Sequence, residues 1–147
     1  MKDSEFYKIP IAYLLPYSVL IVASGVWLFL LSQGLDSAQS LIHTLKDIFY
    51  TPEAKSVRGL IEVATPHLFA MGMLIFVAAH FMLFSTRVSK KTTAIVALMV
   101  FGFALFDILA YFMISFGWLV SGWMKLLAMV SFVSALTLLL SLLAFSL

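Results

Sequence analysis

Four long apolar stretches, approximately residues 9–31, 64–85, 93–116 and 123–145, run through this 147-residue sequence. Each meets the length of about 20 residues that an α-helix needs to cross the hydrocarbon core of a bilayer. A backbone inside hydrocarbon has no water to bond with, so it must satisfy its own polar groups as a helix or a closed barrel. Continuous apolar runs without strict alternation favour the helix. The expected fold class is therefore all-α: a single four-transmembrane-helix bundle spanning residues 1–147. Composition agrees, with 63% hydrophobic and 11% charged residues and a mean hydropathy of +1.11.

The first stretch is too long and too aromatic for a signal-peptide core and carries no small-residue cleavage site after it. It reads as an uncleaved span, bent at Pro16 and thin at Ala23-Ser24-Gly25, where a neighbour can approach. Lys and Arg set the orientation. Lys2, Lys8, Arg87, Lys90 and Lys91 fall on one side, and Lys46, Lys55, Arg58 and Lys125 on the other. Three of the first group crowd into the short 86–92 loop, where the positive-inside rule acts most strongly. Both termini are accordingly expected in the cytoplasm, with the membrane a bacterial inner (plasma) membrane. Trp27, Trp118 and Trp123 then form an outer aromatic belt.

The remaining connection, residues 32–63, is an outer loop with structure of its own. Asp36 and Gln39 make a box-like cap, followed by Leu41, Ile42, Leu45, Ile48 and Phe49 at helical spacing and by Ser40, His43, Lys46 and Asp47 on the opposite side. This pattern predicts a short amphipathic helix on the membrane surface or over the bundle mouth. Thr51-Pro52-Glu53 reads as a second helix start that can run into the next span, bent at Pro66.

Several chemistries are excluded. The chain has no cysteine, so disulfides, thiolate catalysis and iron-sulfur clusters are ruled out. A dispersed net charge of +2 gives no support to nucleic-acid binding. No nucleotide-binding glycine loop, internal repeat or lipidation signal is present.

Ionisable groups inside a span are costly and are functional candidates for that reason. There are three: His67, His80 and Asp107. The two histidines are about 20 Å apart along one helix axis, so they cannot share one ion. Each is either a ligand or a hydrogen-bonding group that fixes packing. Asp107 needs a partner, from His67 or His80, from Tyr111 one turn on, or from Lys125 on the next span. It is either a proton-handling group, with Tyr111, or a structural one. Ser131, Ser134 and Ser141, with Ala128 and Ala135, offer a small-residue stripe for close helix contact.

Pro66-His67, Gly72 and Ala79-His80-Phe81 within one helix resemble the arrangement by which membrane-embedded b-type cytochromes hold haems at two depths. The resemblance implies haem b with His67 and His80 as iron ligands, Gly72 leaving room for the macrocycle, and a quinone as electron donor or acceptor. A chain with two span histidines cannot complete two bis-histidine sites alone. A two-fold homodimer would supply the missing ligands, or His43 could fold over the bundle mouth to join His67. Two functions follow from these readings. One is a small cytochrome b-like electron carrier, alone or as a subunit of a membrane redox complex. The other is a non-enzymatic subunit or assembly factor in which the histidines are structural and the outer amphipathic helix docks a partner.

Overall fold

The computed structural model describes residues 5–31, 41–52, 56–119 and 121–146, which form five helices: α1 (Glu5–Leu30), α2 (Leu41–Tyr50), α3 (Val57–Met82), α4 (Lys90–Ser115) and α5 (Trp123–Phe145). Four of them, all but α2, are long and apolar enough to cross a membrane. Chain order makes successive spans antiparallel neighbours, and one end of the bundle therefore gathers α2, the start of α3, the end of α4 and the start of α5. The opposite end carries the loop between α3 and α4.

The core is built around α5. Ala128, Phe132, Ala135, Leu136, Leu139, Leu140 and Leu143 are buried at spacings of three and four, which aligns them on one side of a helix. All of these but Ala128 meet Leu74, Ile75, Ala78 and Met82 of α3 and Val96, Val100 and Ala104 of α4 in one cluster. Alanines at 78, 104, 128 and 135 shorten the gap between backbones, and dispersion between closely packed helices replaces the hydrophobic drive that lipid removes. The small-residue stripe expected on α5 is only half realised. Ala128 and Ala135 face inward, whereas Ser134 and Ser141 are exposed.

α1 is bound far more loosely. Of its described side chains only Ile11 and Ser18 are buried, and the Ser18 hydroxyl donates to its own helix at the Leu14 carbonyl, 2.7 Å away. Its two ends are nevertheless attached. Tyr7 stacks on Phe84, with ring centroids 4.6 Å apart, and Phe29 reaches the α4–α5 pair at the other end.

The C-terminal end of α2 differs from the expected plan. The Asp36 cap, Gln39 and Glu53 lie outside the described residues. Thr51 does not start a new helix; its N–H donates to the Asp47 carbonyl at 2.8 Å and so closes α2. α3 begins instead at Ser56, whose hydroxyl accepts from the Gly59 N–H, and it continues unbroken through Pro66. The α3–α4 loop is tied to the far end of α5, because the Arg87 guanidinium donates to the Phe145 carbonyl at 2.8 Å. That bond satisfies one of the carbonyls a helix leaves open at its C-terminus. Gly117, at φ +73, supplies the left-handed residue with which α4 turns back toward α5.

Candidate functional site

The most polar point inside the bundle is the meeting of Asp107 and Lys125. Lys125 Nζ donates to Asp107 Oδ1 at 2.7 Å and to the Asp107 backbone carbonyl at 3.0 Å, with side-chain exposures of 8% and 11% for the lysine and the aspartate. Of the partners open to Asp107 from the sequence, the lysine is the one that meets it. The ammonium also lies 5.4 Å from the ring centroids of both Phe29 and Tyr111, within cation–π range. Helices α1, α4 and α5 thus converge on one charge. Removing two ions from water costs several kcal/mol each, and the paired charge, the second hydrogen bond and the two aromatic faces offset that cost together. Tyr111, one turn from Asp107, stands beside the lysine. Further along the same face of α4, the buried Ser115 hydroxyl has no hydrogen-bond partner among the described residues.

The three histidines are placed apart from this centre. His67 is exposed on α3, its Nδ1 2.9 Å from the Val63 carbonyl. His80 is exposed near the other end of α3, in an aromatic row with Phe76 at 6.0 Å and Phe84 at 5.3 Å. His43 is exposed on α2, its Nδ1 2.8 Å from Asp47 Oδ2. Among the described residues no three His, Asp or Glu side chains come together in a way that would hold a metal ion. Gly72 lies away from the three histidines' hydrogen-bond partners, on the packed side of α3. It lines an apolar cleft between α3 and α4 with a volume of about 300 Å³, together with Leu68, Met71, Ile75, Phe101 and Ala104.

A second junction joins α2 to the bundle. The Phe49 carbonyl accepts from the Ser121 hydroxyl at 2.7 Å and from the Gly122 N–H at 3.1 Å. Thr44 and Ile48 are buried beside it. A Cβ on Gly122 would collide with the Ile48 carbonyl, so this glycine serves close approach rather than an unusual backbone angle. The apolar face foreseen for α2 is therefore divided. Ile48 packs inward, while Leu41, Ile42, Leu45 and Phe49 remain exposed. Neither Phe29 nor the Phe49–Gly122 contact had a signal in the sequence, since both depend on long-range packing between helices.

Four apolar spans, three of which meet at a buried ion pair, define a polytopic α-helical membrane protein, in contact with the lipid bilayer along its spans. The chain belongs to the Aq_1264_TM family, a transmembrane helical domain whose family model matches residues 47–147. That stretch starts inside α2, contains all of α3, α4 and α5, and leaves α1 outside. No match to a curated protein or to a solved structure was found.

Proposed function

We propose that this protein is a non-catalytic subunit or assembly factor of a larger membrane complex, and that α2 is its docking element. The observation that carries this reading is the division of labour on α2. Backbone bonds to Ser121 and Gly122 and the burial of Thr44 and Ile48 hold the helix, while Leu41, Ile42, Leu45 and Phe49 form a separate exposed ridge. A ridge held in place by other residues is preorganised, so less ordering entropy is lost when a partner covers it. In the same proposal the 84–89 loop, with its nearby Lys90 and Lys91, faces the cytoplasm of a bacterial inner membrane, and the buried ion pair is structural.

The test is co-purification from the native membrane. Leu41→Ser, Leu45→Ser and Phe49→Ser together should release the partner while thermal stability changes little, because Thr44, Ile48 and the backbone carbonyl of residue 49, which seat α2, are all kept. Association that survives the triple substitution would refute docking through α2. The haem reading is tested by the same preparation. It would require His67 and His80 to be completed by a second chain, or His43 to leave Asp47 for His67. A red protein with a Soret band that shifts on reduction, lost in His67→Ala and His80→Ala, would replace the subunit proposal with an electron carrier.

A further inference from the structure

The α3–α4 cleft and His67 are neighbours that the docking proposal does not use. On a helix, residues four apart are adjacent, so His67 sits one turn above Met71, which lines the cleft. The imidazole makes one bond within α3, from Nδ1 to the Val63 carbonyl at 2.9 Å. A carbonyl oxygen can only accept, so Nδ1 carries the hydrogen and Nε2 of the neutral ring presents a lone pair. That lone pair lies on an exposed face of the span. An exposed acceptor inside a membrane faces hydrocarbon, and leaving it without a donor is costly.

Depth narrows what could supply the donor. The ion pair between Arg58 and Glu62, 2.8 Å apart and well exposed, marks the part of α3 that stays with water and headgroups. The apolar stretch starts near residue 64, and His67 is about 4.5 Å deeper along the helix axis, on the hydrocarbon side of Arg58 and Glu62. The cleft extends deeper still, from Leu68 to Ile75 on α3 and from Ile108 to Phe101 on α4, and every residue lining it is apolar or glycine. Its surface is continuous with the lipid-facing surface of the two spans. We propose that the cleft and His67 form a binding site for a diacylglycerol-type lipid, its hydrocarbon chain in the cleft and its free hydroxyl donating to His67 Nε2. A lipid of this type has no phosphate head to hold its hydroxyl at the water surface, so the donor reaches the depth of the imidazole.

The experiment uses the full chain in phosphatidylcholine vesicles and a diacylglycerol carrying a photoactivatable diazirine midway along one acyl chain. A second probe is the same molecule with its hydroxyl acetylated. The free alcohol should label the segments around Met71–Ile75 and Ala104–Ile108. The acetate should label them about fivefold less, the share of one neutral hydrogen bond. His67→Phe should lower labelling by the alcohol to the level of the acetate. Gly72→Leu should remove labelling by both probes, and Gly102→Leu, on α4 outside the cleft lining, should leave it intact. A Cβ at either glycine meets nothing within 4 Å, so neither substitution clashes at its branch point, and a thermal melt of each variant checks that it is folded. Equal labelling of the unaltered protein by alcohol and acetate, or undiminished labelling of Gly72→Leu, would overturn the proposal.

Discussion

Helices α1 and α5 are nearly matched in length and apolar content, yet they occupy opposite places in the molecule. α5 buries eight residues, including Lys125, and touches every other helix of the bundle. α1 buries two of its described side chains and exposes Tyr13, Tyr17, Leu20 and Trp27. The difference shows that hydrophobicity delivers a helix to the bilayer and says little about where it goes afterwards. Lipid tails solvate leucine about as well as another helix does. What draws α5 inward is the pairing of small residues with large ones, Ala128 and Ala135 beside Phe132 and Leu136, and a lysine that must find an anion. α1 has two internal prolines and a row of outward aromatics, and it is held at its ends. The family match follows the same division, since it takes in the α3–α5 core and omits α1.

This contrast can be broken most sharply at Lys125. Lys125→Met leaves Asp107 buried without its counter-charge, and destabilisation of about 3–5 kcal/mol is expected. The measurement is reversible unfolding in mixed micelles. Asp107→Leu combined with Lys125→Met should recover most of that loss, because two apolar side chains need no partner. If the double variant is as unstable as the single one, the pair does more than neutralise itself.

A smaller effect compares equivalent truncations in the two helices. Leu139→Ala removes a fully buried side chain of α5 and should cost about 2 kcal/mol, the low end for such truncations because lipid also solvates leucine. Leu20→Ala, at an exposed site of α1, should fall within about 0.5 kcal/mol of the unaltered protein. Similar costs at both positions would show that α1 is covered in solution by something with a core-like surface.

A more local effect is expected at Arg87, which lies in a loop and touches α5 only at its last residue. Arg87→Ala removes the bond to the Phe145 carbonyl and the contact over the Phe145 ring, 5.5 Å away. A loss of about 1 kcal/mol or less is expected for this exposed group. Hydrogen exchange at the last turn of α5 should rise while the rest of the helix keeps its protection. Protection lost along the whole of α5 would mean that the loop, rather than the core, holds that helix.

The four spans and the short amphipathic helix were legible in the sequence because the bilayer admits so few backbone solutions. The 41–50 pattern gave the type of element but not its direction, since Thr44 and Ile48 turn inward while most of the apolar face stays exposed. Direction was not legible in α1, α4 and α5. These helices are apolar all round, so periodicity cannot say which face turns inward. The ion pair was half visible. Asp107 was marked by its cost, but Lys125 was one candidate among several, and the choice depended on how α4 and α5 align across the 116–122 turn. The histidines were visible as residues but not in their direction: one helix carries two of them, and both lie on its exposed surface. Thr51 failed as a helix start because it found a nearer use, closing α2 through Asp47.

The seat of α2 also has a meaning in time. Phe49 is synthesised 72 residues before Ser121, the side chain that receives its carbonyl, and Asp107 is made 18 residues before Lys125. During synthesis neither contact exists until the last span has emerged. The final hairpin therefore completes two things at once, neutralising the acid of α4 and fixing the helix near the start of the chain. A chain halted before α5 would carry an unseated α2 and an unmatched charge in the bilayer, so the order of synthesis makes both contacts late events in assembly.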